Sequence, residues 1–209
     1  MMKLTKFTHA CVRIEKDGKV LLVDPGIWAE NEAFEGVDAI LVTHEHFDHL
    51  DQERIPSFEV PVWTNASVAA QLTDDGIGDR VTVIEGGQSF EVAGFKVSAY
   101  GNDHAIILPE LGVPCQNVGF LIEDAIYHPG DSWTRPGRAV HTNLVPLSGP
   151  WYTTRDAVEY TREVAAEQAV GIHDALLSEI GLGLSRTWIG VQGRKAYHGL
   201  TPGDWIEID

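Results

Sequence analysis

The chain is short of the residues that several common functions depend on. It has only two cysteines in 209 residues, Cys11 and Cys115, with no C-x-x-C or zinc-finger spacing. That argues against a disulfide framework, and two buried free thiols in a reducing compartment are expected. Lysine and arginine number 15 against 31 acids, for a net charge of −16. Such a balance argues against nonspecific nucleic-acid binding, which relies on basic side chains to displace counterions. No apolar run approaches the roughly 20 residues that cross a bilayer. Met1-Met2-Lys3-Leu4-Thr5-Lys6 has no apolar signal core behind its charges, so a cytoplasmic location with no membrane attachment is expected. A G-x-S-x-G elbow is missing as well, which argues against a serine hydrolase. Gly86-Gly87 and Gly181-Leu182-Gly183 lack the strand-to-helix setting of a phosphate loop and read as turns.

What is present reads as an ordinary globular protein. Hydrophobic residues make up 44% and charged residues 22%, and this length can bury a sizeable core. No low-complexity or linker-like stretch divides the chain, so residues 1–209 are read as a single domain.

One run stands out. Thr43-His44-Glu45-His46-Phe47-Asp48-His49 packs three imidazoles and a carboxylate into six positions. On an extended segment His44 and His46 point the same way, and Asp48 and His49 follow in a turn that can present a second ligand set. This fits two metal ions side by side, as in bimetallic hydrolases. The competing reading is a pH-sensing or merely incidental histidine cluster. The run directly follows the apolar strand Ala39–Val42, where ligands on an α/β scaffold belong, and this favours metal.

The flanking pattern is mostly strands. Residues 11–15 and 20–23 flank Asp17-Gly18, a strong hairpin signal. Further strands are expected at 39–42, 60–63, 81–84, 89–92, 95–100, 118–122, 125–127 and 169–172, and Trp205–Ile208 is expected at an edge. Helices are expected at 67–72 capped by Asn65, at 155–168 capped by Thr153, and at about 175–180. A run of strands followed by helix-linked strands, repeated about once, implies two sheets face to face with helices outside, an α/β sandwich of αββα layers.

A two-ion site needs more donors than the first run supplies. His104, Asp131 and His173 each come shortly after an expected strand. Each also has a plainer reading: a strand-end histidine has capping or surface roles, and Gly130-Asp131-Ser132 can be only a turn. His128 is a candidate to donate a hydrogen bond to a ligand, Asp103 to orient His104, and His9 to reach the pocket rim. Trp28, Trp133 and Trp151 follow strands or candidate ligands and can wall a pocket or anchor the core. His141 and His198 carry no spacing argument.

Taken together, these residues resemble the metallo-β-lactamase fold superfamily, from Asp24-Pro25 to His173. Phe7-Thr8-His9-Ala10 is similar to the Gly-His-Ala/Ser opening of the compact branch that includes ascorbate-6-phosphate lactonase-like proteins, with Thr8 where glycine is usual. The resemblance implies two mixed sheets. It implies His44, His46 and His104 on one metal, Asp48, His49 and His173 on the other, and Asp131 between them. It also implies that Asp48 is catalytic, orienting the nucleophile.

The function expected is a binuclear metal-dependent hydrolase that uses a metal-bridging hydroxide to cleave a small ester-like substrate, a lactone or a phosphoester. The cofactors expected are two divalent ions, zinc first, with manganese or iron as alternatives for a donor set of imidazole and carboxylate. The partner expected is a small molecule, anionic if held by the metals, with a homo-oligomer allowed. The alternatives are a mono-iron sulfur dioxygenase-type oxidoreductase on the same fold and a non-catalytic metal-binding sensor.

Overall fold

Two seven-stranded sheets are built by the same plan. In the computed structural model, which describes residues 1–209, β1 (Met2–Lys6), β2 (Val12–Lys16) and β3 (Lys19–Val23) form an antiparallel meander. β4 (Ala39–Val42), β5 (Val62–Thr64) and β6 (Val81–Val83) extend it in parallel. The second sheet repeats the order. β7 (Ser89–Val92), β8 (Phe95–Tyr100), β9 (Gly119–Ile122) and β10 (Ile126–His128) are antiparallel. β11 (Val140–Pro146), β12 (Ala166–Ile172) and β13 (Ala196–His198) then add in parallel. β14 (Trp205–Ile208) returns to cover the free edge of β1.

Strand alternation sorts the apolar side chains into three layers. Leu21, Val23, Leu41, Phe120, Ile122, Leu144 and Val170 meet between the sheets. Leu22, Ile40 and Val42 face outward under α1 (Ala66–Asp74), whose Val68 and Leu72 cover them. Leu121, Tyr127 and Val145 face outward under α2 (Thr154–Glu163) through Ala157 and Tyr160. Each fully buried Leu, Ile or Phe contributes about 1.5–3 kcal/mol. The layers run helix, sheet, sheet, helix, as expected. No helix is long and apolar enough to cross a membrane.

The Asp17-Gly18 hairpin signal is realised, and a second turn of the same kind follows. Asp17 and Gly18 connect β2 to β3 with φ of 52° and 74°, and Ala93 and Gly94 connect β7 to β8 with 51° and 82°. Two central residues at positive φ match the twist of the flanking strands. Asn65 caps α1 by accepting from the Val68 amide, and Thr153 caps α2 by accepting from that of Asp156.

Two helical expectations need correction. The helix expected to reach Gln168 stops at Glu163, because Ala166 already pairs with Val140 on the parallel edge of β11. Ala-Ala-Glu-Gln favours a helix locally, but seven residues of β12 gain ladder partners and a buried face by extending. The helix expected at 175–180 is instead α3 (Glu179–Thr187), capped by Ser178 and prolonged by a wider turn over Trp188–Gln192. Gly181-Leu182-Gly183, expected as turns, lie inside it, where Leu182 packs against the outer core of the second sheet. The short β13 was not anticipated.

Candidate metal centre

The histidine run leaves β4 at one end of the sandwich. The His49 and Leu50 amides both donate to the His46 carbonyl, which folds the run into a tight turn. Gly26 allows this turn to approach: a Cβ there would sit 2.0 Å from the Asp48 carbonyl oxygen. His44 and His46 converge through different ring atoms, His44 Nε2 lying 3.1 Å from His46 Nδ1.

Loops from the other sheet bring the remaining donors to the same place. His104 follows β8, Asp131 follows β10 and His173 follows β12. The Asp131 amide donates to Asn117 Oδ1 at 3.0 Å, and the Ala105 amide donates to the Asp131 carbonyl at 2.8 Å. At Gly130, with φ of 62°, a Cβ would meet Asn117 Oδ1 at 2.3 Å, so only glycine lets this turn close. Asp131 then lies at the centre. His49 Nε2 is 3.1 Å from its Oδ1, while His173, His104 and His44 Nε2 are 3.0, 3.4 and 3.7 Å from its Oδ2.

The donors form two groups of four, each with ligand atoms within 4.8 Å of one another. His44, His46, His104 and Asp131 make one; His9, Asp48, His49 and His173 make the other. All seven residues singled out as ligands from the sequence are thus brought together.

Outer hydrogen bonds set the tautomers. His49 Nδ1 is 2.7 Å from Asp24 Oδ2, so its proton sits on Nδ1 and Nε2 presents a lone pair inward. His104 Nδ1 donates to the Ala105 carbonyl at 2.7 Å, which likewise leaves its Nε2 free. Thr43 Oγ1 donates to Asp24 Oδ2 at 2.7 Å and so accepts from His44 Nδ1 at 3.0 Å. One buried carboxylate, Asp24, therefore orients two ring systems. The sequence reading used Asp24 only to mark the end of a strand. Its one local signal is position, directly after β3 and before Pro25.

Among the donors themselves, polar atoms lack partners. His49 Nε2, His104 Nε2, His173 Nε2 and Asp131 Oδ1 are buried without a hydrogen bond. Orphaned buried acceptors are costly in a native fold, and here they converge on common points. The group that satisfies several lone pairs at once is a cation, so these residues fit divalent metal. Electrostatics agree. Burial would raise Asp131, but His49, His173 and His44 around it hold its carboxyl well below the usual range. Burial would lower His49, but Asp131 and Asp24 on either side raise it well above, so its Nε2 favours a positive charge against Asp131, either a proton or a cation in the proton's place.

His9 belongs to the cluster but not as a ligand by geometry. Its Nδ1 accepts the Ala175 amide at 3.2 Å, so the neutral ring carries its proton on Nε2, which lies 3.0 Å from Asp48 Oδ2. Burial lowers its pKa to about 4. His128 is buried but donates to the Ala10 carbonyl at 2.9 Å and accepts from the Gly130 amide. It braces the Gly130-Asp131 turn and does not donate to a ligand. Asp103 is exposed, and His104 is oriented by Ala105 in its place. Cys115, expected as a buried thiol, is half-buried with Sγ 3.8 Å from His46 Nε2. The long β8–β9 loop folds back to put it there.

Trp28 and Trp151 wall the cleft over the donors, whereas Trp133 meets Trp151 edge to face at 5.0 Å and packs against the outer core. Trp151 Nε1 also donates to Asp131 Oδ2 at 3.2 Å.

Comparison with known proteins shows the family. Residues 3–173 match the family described as Beta-lactamase superfamily domain. Protein Rv0786c of Mycobacterium tuberculosis is 34% identical over 194 residues, covering 88% of this chain and 89% of its own. A UPF0173 metal-dependent hydrolase of Aeropyrum pernix is 32% identical over 195 residues, covering 78% and 77%. Among solved structures, Igni18, a metallo hydrolase from Ignicoccus hospitalis, superposes with a TM-score of 0.77 at 19% identity, covering 100% of this chain and 99% of that one. At that identity the likeness shows the fold alone.

Proposed function

The chain belongs to the β-lactamase superfamily, and from that premise we propose that it is a metal-dependent hydrolase whose two-ion centre cleaves a small ester-like substrate, a lactone or a phosphoester. The observation that carries this reading is the convergence of four buried, unpartnered donor atoms from His49, His104, His173 and Asp131. In this reading His44, His46 and His104 would hold one ion and Asp48, His49 and His173 the other, with Asp131 shared by both. Zinc suits the imidazole and carboxylate donors best, with manganese or iron as alternatives.

When bound, the ions supply Lewis acidity and lower the pKa of a coordinated water to about 7. The chain's own residues do the aiming. Asp48 orients the attacking water and takes its proton at the carboxylate, which His9 holds in place at Oδ2. Trp151 keeps the Asp131 carboxylate in one orientation through its indole N–H. Asp24 keeps His49 and, through Thr43, His44 in the tautomers that face inward. Pro150, Trp151 and Phe47 shield the centre from bulk water.

The test is metal content together with hydrolysis. Freshly purified protein is expected to carry about two divalent ions per chain, and Asp131→Ala, which removes the bridge, is expected to retain fewer than one. Activity toward a lactone and phosphoester panel should disappear with a chelator and return with zinc. Protein that takes up no metal on reconstitution would sink the reading. One iron per chain with oxygen consumption would move it to the oxygenase class.

A further inference from the structure

We propose, resting on the hydrolase reading above, that the substrate is an uncharged carboxylic ester or lactone with an apolar acyl chain, and not a phosphoester. The cleft over the donors has a volume of about 310 Å³ and eleven lining residues. Five are the donors His46, Asp48, His104, Asp131 and His173. The other six are Trp28, Phe47, Ile107, Pro150, Trp151 and Leu176. The walls hold no lysine, arginine, serine, threonine, asparagine or glutamine.

Phosphoester sites place cationic forks or a helix N-terminus against the non-bridging oxygens. Lys6, which pairs with the residue after His173, is fully buried and committed to Asp174 Oδ1 and the Phe7 carbonyl, both at 3.0 Å. The outer field of a chain with net charge −16 also opposes an anion. The anionic substrate expected from the sequence thus finds no partner beyond the ions themselves.

The apolar lining continues outward from the cleft. Of the lining residues, Phe47 and Leu176 reach the surface and are 57% and 58% exposed. Trp28 meets Phe47 edge to face at 5.5 Å. Apolar side chains left in water around one opening incur a hydration cost of about 25 cal/mol per Å². An acyl chain lying from the ions toward this rim removes that surface from water. In the reaction the acyl C–O bond breaks and the oxygen of one water joins the acyl carbon. The leaving alkoxide takes a proton, giving a carboxylic acid and an alcohol, or one hydroxy acid from a lactone. No reactant other than water is needed.

The zinc-reconstituted full chain is assayed with p-nitrophenyl acetate, butyrate, hexanoate and octanoate and with bis-p-nitrophenyl phosphate. In parallel, tryptophan fluorescence follows binding of the matching methyl esters, read through Trp28 and Trp151. Both kcat/KM and binding are expected to rise about two- to fourfold per added methylene until the cleft is filled. Leu176→Ser is expected to lower kcat/KM for the octanoate more than for the acetate. Preference for the phosphodiester, or no dependence on chain length in either readout, overturns the proposal. Chain-length-dependent binding with no hydrolysis of any substrate would uphold the ligand class and sink the hydrolase reading instead.

Discussion

His9 Nε2 lies 3.0 Å from Asp48 Oδ2, and the same ring accepts the Ala175 amide on Nδ1 at 3.2 Å. One imidazole therefore ties the loop after β1 to the metal run and to the loop after β12. The amide on Nδ1 fixes the donor role of Nε2. A carboxylate held this way keeps one orientation toward the site, which is what a positioning residue provides.

Replacing this ring tests the role. His9 sits at φ of 68°, a region that asparagine also tolerates. His9→Asn keeps the backbone and removes the hydrogen bond, and turnover is expected to fall about 10- to 100-fold. The loss should fall on kcat more than on KM, and His9→Gln, whose amide reaches further, should recover part of it. Unchanged kcat in His9→Asn would remove His9 from the mechanism.

Asp24→Asn probes the tautomers. Asp24 accepts from the Thr43 amide, from Thr43 Oγ1 and from His49 Nδ1, each at 2.7 Å. Asparagine keeps the shape and can still accept from the amide, but its NH₂ then faces Thr43 Oγ1 and His49 Nδ1. His49 must move its proton to Nε2, and the inward lone pair is lost. Metal affinity is expected to weaken about 10- to 100-fold, measured by competition with a chromophoric chelator. Wild-type affinity would show that Asp24 is structural only.

A pair of glycine substitutions separates steric from helical effects. Gly26→Ala puts a Cβ 2.0 Å from the Asp48 carbonyl oxygen at an ordinary φ, so the strain comes from contact alone. The variant is expected to lose about 1–3 kcal/mol and to bind less metal as the Asp48 backbone moves. Gly183→Ala, in α3 with nothing within 4 Å of its Cβ, is expected to gain about 0.5–1 kcal/mol. Urea unfolding of both against wild type checks the contrast.

Glu123 clips the two sheets. Its Oε2 is 2.8 Å from Lys16 Nζ on β2, and its Oε1 accepts the Lys96 amide on β8 at 2.7 Å. Partial burial works against ionisation, but Lys16 and the Lys96 amide outweigh it and hold the carboxyl below the usual range. A carboxyl depressed in the fold contributes stability above its unfolded value of about 4.5, and the contribution is lost as pH falls through the folded value. Glu123→Gln is therefore expected to cost about 1 kcal/mol or less at pH 7 and nothing well below pH 4. Unfolding midpoints across that range decide it, and a difference that persists at pH 3 would point to packing.

Local patterns carried much of the fold. Short continuous apolar runs at Val20–Val23 and Ala39–Val42 mark buried strands because both faces must find a core, and both strands form where the pattern places them. Asp17-Gly18 marks a hairpin because Asp and Gly both tolerate positive φ, whereas Ala93 is held at 51° by the pairing of β7 with β8. The misreadings fall where local preference and tertiary pairing disagree. Ala166–Gln168 has helix-forming residues but extends along β11, and Gly181 and Gly183 lie in a helix held by packing of Leu182.

The sequence by itself determined which donor types are available and that four of them lie side by side, because residue identity and chain proximity need no fold. It also determined the two-sheet, two-helix-layer plan through the order of its periodic segments. The tertiary structure sets the inward-facing ring nitrogens, because each tautomer depends on an outer partner from a distant segment: Asp24 for His49 and Ala175 for His9. It alone decided the character of the cleft, whose walls come from positions 28, 47, 107, 151 and 176. Hydrogen bonds are directional over a few tenths of an ångström, and no one-dimensional spacing encodes where such distant atoms meet.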